Sequence, residues 1–484
     1  MPEVRAEGVR TSLIYKKEKG IPMGLLGFDP FKVLREALKN GGEFADVYFE
    51  DTFNTSIVCE ENRIEKVITG RDRGCGIRVI SDLKTYYAYT NDVTERGLLE
   101  VASVVAMGVR KGGMAGDIGP VKKEIAPGFD IKKLPVISPL EEKIRLVNKA
   151  NATAWKMDKR IRQVRVVYGD GTRRLAMVNS LGEWVEEDRV GVIFICNAVS
   201  QEGDNVQTGY EPLGGAMGLE IFDDTPPEAV AETAVRRAIM MLDARRVPGG
   251  KMSVVLSSEA GGTMIHEAVG HGLEADLALQ NLSVYSGKLG ESVASPLITV
   301  LDDATIPYKR GSFFHDDEGA PAEKTVLVEN GVLKSYMYDR LSAMKAGCRS
   351  TGNGRRESYH HRPIPRMTNT MIAPGNTDPK EIIKSLDRGL FVRKMGGGQV
   401  NTVNGDFVFE VSEGYLIEGG EIGPPVRGAT LTGNGPEVLK GIDMVGSDLG
   451  FGIGTCGKDG QGVPVSDAQP TLRIPEIVVG GEGK

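Results

Sequence analysis

In the first half of the chain, short runs alternate between apolar and polar positions, which is typical of strands with one buried face. Apolar positions spaced by three and four between these runs indicate amphipathic helices. We therefore expect an antiparallel sheet with helices on one face. The predicted strands are residues 45–50, 55–60, 63–68, 74–80, 85–89, 164–168, 175–179, 184–187 and 191–200, and the predicted helices are residues 29–40, 92–107, 138–154 and 226–243.

Local signals set several of these boundaries. Ser138 followed by Glu141 is the pattern of a capping box, and Asp92 followed by Glu95 is a second one. The segment Gly169-Asp170-Gly171 predicts a turn between two strands, because glycine and aspartate favour turn conformations.

The second half of the chain carries a different pattern. A strand over 252–257 leads into a helix with two histidines, and further strands are expected over 297–301, 324–329 and 332–338. Asn330-Gly331 predicts a hairpin between the last two of these. Asp378-Pro379 begins one more helix, and from residue 390 strands alternate with glycine-rich loops.

These patterns predict an α+β protein with two domains. The segment Val247-Pro248-Gly249-Gly250 marks the boundary. We expect a loose arm over 1–25, an N-terminal α+β domain of antiparallel sheet with flanking helices over 26–246, and a β-rich C-terminal domain over 247–484 that carries the two-histidine helix.

Composition narrows the class of protein. Lys and Arg number 59 against 66 Asp and Glu, and the resulting net charge of −7 argues against a general role on nucleic acid or on an anionic membrane. The 63 glycines favour a turn-rich β architecture. Five scattered cysteines suggest no disulfide framework, and no apolar run is long enough to span a bilayer. A cytoplasmic enzyme is expected.

The helix after residue 260 carries the candidate chemistry. His266 is followed directly by Glu267, and His271 comes five residues after His266. Imidazole is a good zinc ligand, and a neighbouring carboxylate can act as general base on a metal-activated water. On a regular helix, positions five apart diverge by ~140°, whereas positions four apart diverge by ~40°. The spacing therefore predicts a wide π-turn, with Gly270 and Gly272 easing the distortion. Spacing alone also leaves open a packed helix whose histidines have no role.

Several sequence blocks in the same order resemble the TldD/PmbA metalloprotease family, and specifically its TldD branch, since the sister TldE (PmbA) branch lacks the two histidines. The blocks are His266-Glu267-x-x-x-His271-Gly-Leu-Glu-Ala-Asp, Asp316-Asp317-Glu318-Gly319, Thr351-Gly352-Asn353-Gly354-Arg355-Arg356-Glu357-Ser358-Tyr359, Pro365-Arg366-Met367-Thr368-Asn369-Thr370, Gly396-Gly397-Gly398-Gln399-Val400 and Gly454-Thr455-Cys456-Gly457-Lys458. The resemblance covers nearly the whole chain.

A catalytic zinc site usually needs a third protein ligand. From the residues alone, Cys456 is attractive, because it is expected in a glycine-rich loop and Lys458 would favour its thiolate. The resemblance also implies a cysteine ligand in this motif. We expect one zinc ion per chain, held by His266, His271 and Cys456. Other candidates for the third ligand are His315, His360, His361, Glu274, Asp276, Asp316 and Asp317.

Glu267 is the expected general base, which would take a proton from water and deliver it to the leaving amine. Its alternative role is to orient a ligand. Tyr359, His361 and Arg362, in a cluster with His360, are candidate oxyanion donors, although a solvated polar loop is an equally good interpretation. His315 either orients a ligand or belongs to a surface turn.

The resemblance implies a peptidase acting on unfolded or extended peptides such as leader peptides and antitoxin-like proteins. It also implies a TldE/PmbA-like partner in a heterodimer, or a homodimer, with the N-terminal domain contributing to the dimer and the cavity wall. An extended peptide could bind by adding a strand to a sheet edge. Two alternatives stay open, namely a metal-dependent amidase or deacylase on small molecules and a scaffold subunit of a heterodimeric protease.

Overall fold

The N-terminal half forms one sheet covered by helices. The structure, a computed structural model, describes residues 26–109 and 118–481, and the predicted arm over 1–25 lies outside them. The strands are β1 (Phe44–Glu60), β2 (Arg63–Ser81), β3 (Lys84–Thr90), β4 (Lys122–Ile125), β5 (Ile161–Asn179), β6 (Glu183–Glu202) and β7 (Asn205–Gly215), and the helices are α1 (Pro30–Ala37), α2 (Glu95–Gly108), α3 (Leu140–Met157), α4 (Ile221–Asp224) and α5 (Pro227–Asp243). The sheet order is β3-β2-β1-β5-β6-β4, with β7 paired to β6.

The helices lie on one face of this sheet. Side chains at alternate positions of β1 share a face, so Val47 and Phe49 lie on the same side as Ile57 and Cys59. The first pair packs in a core with α1 and α2, and the second pair packs in a core with α3 and α5. The predicted α+β class is confirmed.

Strands β1, β5 and β6 are longer than predicted. Residues 164–168 and 175–179 belong to one strand, and the predicted turn at 169–171 is wrong. Gly169 pairs with Ser56 and Gly171 with Asn54 in an unbroken ladder. A Cβ on Gly169 would lie 2.9 Å from Ile193 Cγ2, and one on Gly171 would lie 2.7 Å from Asn54 Oδ1. The glycines therefore serve close side-chain packing rather than a turn.

The predicted capping boxes are also wrong. The Ser138 hydroxyl donates to the carbonyl of Leu134 at 3.0 Å, and α3 begins after Pro139 without a side-chain cap. At α2 the capping side chain is Thr94, which accepts from the amide of Gly97. Asp92 instead accepts from the amide and hydroxyl of Thr94.

The C-terminal half is built from two larger sheets and a two-stranded ribbon. Its strands are β8 (Arg245–Arg246), β9 (Gly250–Leu256), β10 (Val300–Asp303), β11 (Lys324–Glu329), β12 (Val332–Leu333), β13 (Gly354–Arg355), β14 (Ile364–Pro365), β15 (Asn369–Ile372), β16 (Arg388–Val400), β17 (Asp406–Glu418), β18 (Glu421–Arg427), β19 (Thr430–Asn434), β20 (Met444–Val445), β21 (Gly450–Lys458), β22 (Gln461–Gln469) and β23 (Leu472–Gly480). Its helices are α6 (Thr263–Ile265), α7 (Ala275–Ala278), α8 (Arg340–Ala346), α9 (Pro379–Lys384) and α10 (Gly435–Gly441).

The two larger C-terminal sheets enclose one core. One sheet has the order β12-β11-β10-β15-β22-β21, and the other has the order β16-β9-β23-β19-β17-β18-β8, with β20 paired to β23. A single cluster of buried apolar side chains extends from Val247 to Val479 and includes Ile265, Val269 and Cys456. The two-histidine segment is therefore part of the C-terminal core.

Among the other predictions for the C-terminal half, one is confirmed and one is wrong. The hairpin at Asn330-Gly331 is confirmed, since both residues have positive φ (48° and 82°) and Val328 pairs with Leu333. The strand predicted over 332–338 ends at Leu333. The domain limits stay a prediction, although the N-terminal sheet ends at Gly215 and the next strand begins at Arg245. Within the described ranges, no helix is long and apolar enough to cross a bilayer.

Candidate metal centre

Residues 263–273, the histidine segment, change helical pitch twice. They begin as α6, continue as a π-helix over His266–Gly270, and end as a 3-10 helix over His271–Leu273. The amide of His271 donates to the carbonyl of His266, five residues before it. The predicted wide turn between the two histidines is thus confirmed, because one extra residue per turn brings positions five apart onto one side.

Two glycines allow the start of the histidine segment to pack closely against β22. Gly261 has φ +74°, a conformation that a residue with a side chain rarely adopts. A Cβ on Gly262 would lie 2.3 Å from the backbone nitrogen of Ala468. The Gly262 amide also donates to Asp467 Oδ1 at 2.9 Å. The chain entering the histidine segment is therefore fixed directly against the sheet.

Gly270 has a different role from the expected one. Its φ and ψ of −54° and −55° are ordinary helical values, so the prediction that it absorbs the dihedral change is wrong. A Cβ at this position would lie 2.1 Å from Met367 Sδ. Gly270 therefore lets the π-turn pack closely against Met367.

Cys456 reaches the two histidines from the sheet. The expected loop around Cys456 is wrong, because this residue lies on β21, which is paired antiparallel to β22. Lys458 shares its face of the strand. One potential ligand atom from each of His266, His271 and Cys456 lies within 4.8 Å of the other two. Cys456 Sγ is 3.5 Å from His271 Nε2. His266 and Cys456 are buried, and His271 is nearly so.

The electrostatics of the cluster favour a thiolate. Burial by itself would raise the pKa of Cys456, but hydrogen bonds to His266 and His271 lower that pKa to about 5. Burial likewise opposes charging of the two imidazoles, yet contact with Cys456 raises the pKa of His266, and Glu274 together with Cys456 raises the pKa of His271.

This donor set fits zinc. Two imidazoles and a thiolate are ligands that zinc accepts, and three protein ligands leave one coordination position for water or substrate. His266 Nδ1 is buried without a hydrogen-bond partner. Among the residues that the structure describes, these three form a group of His, Cys, Asp or Glu side chains whose ligand atoms lie close enough together to hold a metal ion.

A second layer of charged groups surrounds His271 and Cys456. Glu274 Oε2 lies 3.0 Å from His271 Nδ1 and 3.1 Å from Lys458 Nζ. Burial opposes ionisation of Glu274, but Lys458 and His271 hold its pKa down at about 2. Lys458 also donates to Asp276 Oδ1 at 2.7 Å, and Arg366 donates to the carbonyl of Cys456.

From the sequence, Glu274 and Asp276 are candidates only for direct metal ligation, and Arg366 has no individual role. A signal for Glu274 was present in its spacing, because it follows His271 by three residues and such positions are neighbours on a helical surface. The sequence holds no comparable signal for Arg366, which lies far from the motif along the chain.

Glu267 lies within the π-helix and is partly exposed. Throughout the described parts of the chain, no hydrogen bond or ion pair engages its carboxylate. A carboxylate next to a candidate ligand and free of partners is suited to accept a proton. Its role as general base stays a prediction.

Of the candidate oxyanion donors, Tyr359 lies against the N-terminal sheet. The Tyr359 ring packs with Tyr48 and Met177, and its hydroxyl lies 3.0 Å from Asp72 Oδ1. His361 Nδ1 is 3.3 Å from the hydroxyl of Ser358, and Arg362 is exposed. Nothing in these contacts favours the oxyanion role of Tyr359, His361 or Arg362, which stays a prediction.

The segment of His315 is not the surface turn considered from sequence. His315, Asp316, Asp317 and Glu318 are each at most 4% exposed. The amide of His315 donates to Glu187 Oε2 at 3.0 Å, and Asp317 Oδ1 accepts from Arg189 Nη1 at 2.7 Å. Partners on β6 therefore bury this acidic segment between the two halves of the chain.

Family models match the chain in three successive regions. They describe PmbA/TldA metallopeptidase domain 1 over residues 45–108, the central domain over 135–242 and the C-terminal domain over 249–481. The C-terminal match contains His266, Glu267, His271 and Cys456.

Full-length relatives and solved structures agree with these matches. A metalloprotease TldD homolog of Haemophilus influenzae is 39% identical, over 91% of this chain and 93% of its own length. A zinc metalloprotease TldD homolog of Saccharolobus solfataricus is 29% identical, over 93% and 99%. A Thermotoga maritima structure described as a candidate modulator of DNA gyrase has a TM-score of 0.77 at 25% identity, over 93% and 99%. The structure of TldE from Thermococcus kodakarensis has a TM-score of 0.75 at 20% identity, with the same coverage, and shares the fold.

Proposed function

The chain belongs to the PmbA/TldD metallopeptidase family, and from that premise we propose that it is a zinc-dependent peptidase with one zinc ion per chain held by His266, His271 and Cys456. The convergence of these three donors within 4.8 Å carries the proposal. It is supported by the π-turn, without which two histidines five apart would diverge. A scaffold subunit without activity would have no need of the complete set of candidate ligands and general base.

Zinc bound there would act as a Lewis acid toward the peptide carbonyl and would lower the pKa of water at its open position. Glu267 accepts the proton of the attacking water on its carboxylate and then delivers it to the nitrogen of the leaving amine. The absence of any hydrogen bond or ion pair to Glu267 in residues 26–109 and 118–481 supports this assignment.

The proposed substrate is an unfolded or extended peptide. Strand β21 is the last strand in the order of its sheet, so one of its edges is not paired within the sheet. Thr455 and Gly457, which flank Cys456, are exposed. An added peptide strand would hydrogen-bond to main-chain groups of this edge, a mode that admits many side chains and excludes folded proteins. Leader peptides and antitoxin-like proteins meet this requirement.

We further propose that the protein acts in the cytoplasm as a heterodimer with a TldE/PmbA-like subunit, or as a homodimer. The similarity of its fold to that of TldE from Thermococcus kodakarensis supports pairing between two related subunits. The charge of −7 supports a partner other than nucleic acid or an anionic membrane.

Zinc-loaded protein should be incubated with an unstructured peptide and with a panel of small amides, both alone and with a TldE-like subunit. We expect cleavage of the peptide, no turnover of the small amides, and loss of cleavage in Glu267→Gln. Turnover of small amides with the peptide left intact would favour the alternative amidase or deacylase. Failure to cleave either substrate, with and without the partner subunit, would contradict the proposed activity.

A further inference from the structure

Glu274 is a fully buried carboxylate that connects the two chain segments of the metal centre. Its exposed fraction is 0%. On the side of the histidine segment, its Oε2 is 3.0 Å from His271 Nδ1. On the side of the sheet, the same oxygen is 3.1 Å from Nζ of Lys458, which follows Cys456 by two residues on β21.

A third buried group completes this connection. The guanidinium of Arg366, which is 0% exposed, has its Nε 4.0 Å from Glu274 Oε1. The same side chain donates to the carbonyls of Cys456 and Gln461, one on each strand of the β21–β22 hairpin. Arg366 therefore fixes the backbone that carries Cys456, and Glu274 lies between Arg366 and His271.

The contact of Glu274 with Nδ1 also determines which nitrogen of His271 faces Cys456. A carboxylate accepts hydrogen bonds and cannot donate them, so the proton of a neutral His271 is held on Nδ1. The unprotonated Nε2 is then the nitrogen that lies 3.5 Å from Cys456 Sγ. A carboxylate behind a histidine ligand fixes its tautomer and orientation and makes it more basic.

We propose that Glu274 is the positioning residue of the centre, which orients His271 for zinc and joins it to the hairpin that carries Cys456. This inference rests on the proposed zinc site. Glu274 does not contact substrate in this role, and its effect is exerted through His271. The nearby Asp276 contacts Lys458 but neither His271 nor Arg366. It therefore offers a matched control for the loss of a carboxylate beside Lys458.

The test is zinc affinity, measured by competition with a chromogenic chelator, for wild type, Glu274→Gln and the control Asp276→Asn. We expect Glu274→Gln to bind zinc ~10–100-fold more weakly, which is the usual effect of losing such a partner. Asp276→Asn should stay near the wild-type affinity. Equal affinities in wild type and Glu274→Gln would overturn the inference while leaving the proposed function intact. Absence of zinc binding by the wild type would contradict both this inference and the proposed function.

Two further measurements distinguish positioning from a general structural role. The absorption spectrum of the Co²⁺-loaded Glu274→Gln variant should show altered d–d bands, while the thiolate charge-transfer band from Cys456 is retained. Glu274→Asp keeps the charge beside Lys458 and Arg366 but withdraws it from His271, and it should also weaken zinc binding. Wild-type affinity in Glu274→Asp, or an unchanged Co²⁺ spectrum in Glu274→Gln, would contradict the proposal even if one variant folds poorly.

Discussion

At the scale of single residues, two imidazoles lower the pKa of Cys456 against the effect of burial, which supports its proposed role as a zinc ligand. We expect Cys456→Ala to lose most of its zinc, because two histidines alone seldom retain it. Metal analysis of the purified variant is the measurement. Cys348→Ala, which removes an exposed cysteine elsewhere, is the control and should keep its zinc. Full zinc content in Cys456→Ala would exclude this thiol as a ligand.

Glu267→Gln separates catalysis from metal binding. The amide cannot accept a proton, so turnover of an unfolded peptide should fall ~10²–10⁴-fold while the zinc content stays unchanged. The control is Glu259→Gln, which changes an exposed carboxylate shortly before the histidine segment. Near-normal cleavage by zinc-loaded Glu267→Gln would mean that this carboxylate only orients other groups.

The residues of the proposed centre could be predicted from sequence because His266, Glu267 and His271 are neighbours along the chain and Cys456 lies in a recognisable glycine-rich motif. Among the groups behind them, Arg366 could not be predicted in the same way. Arg366 contributes through its position in space, where it joins carbonyls of two strands, and no local sequence pattern encodes that contact.

At the scale of elements, the five-residue spacing of the histidines correctly predicts a π-turn, but the reason for Gly270 lies in packing. Gly270→Val should therefore clash with Met367 and weaken zinc binding while the overall fold is kept. Adding Met367→Ala should restore part of the affinity by making room. Zinc titration gives the affinity, and circular dichroism checks the fold.

Two outcomes would contradict this prediction. Unchanged zinc affinity in Gly270→Val would mean that the π-turn tolerates the side chain. A double variant as weak as Gly270→Val would mean that Met367 is not the cause, and that the β-branched side chain acts through the helix backbone instead.

Element types were easier to predict than element limits. Alternating apolar positions identified β5 and β6, but the glycines at 169 and 171 suggested a turn, which the structure does not have. The long-range ladder with β1 and close contacts with Ile193 and Asn54 determine the conformation of these glycines. Such contacts are invisible to a local pattern.

At the scale of the whole molecule, a buried ionic network joins the N-terminal sheet to the C-terminal half. Arg78 on β2 pairs with Asp46 on β1 and, through Nη1 at 2.6 Å, with Glu318. Nearby, Arg189 pairs with Asp317. Asp317 and Glu318 lie in a motif that was identified from the sequence, but their burial depends on how the two halves meet.

Removing one member of this network should be costly. Arg78→Met removes the cation that pairs with Glu318 and leaves Asp46 with Arg356 at 3.9 Å, and we expect the free energy of unfolding to fall by about 3–5 kcal/mol. Urea denaturation measures the change. The control is Arg71→Met on the same strand, because the Arg71 side chain is largely exposed although its partner Asp51 is buried, and its loss should cost less stability than the loss of Arg78. Equal stability of the two variants would contradict a structural role for the network.

The most direct test of the proposed metal centre is anomalous diffraction from crystals of zinc-loaded protein at the zinc absorption edge. We expect one anomalous peak per chain, about 2.0–2.1 Å from a nitrogen of His266 and of His271 and about 2.3 Å from Cys456 Sγ. A peak bound by other residues, or no peak between these three side chains at full zinc loading, would contradict the assignment of His266, His271 and Cys456 as the zinc ligands.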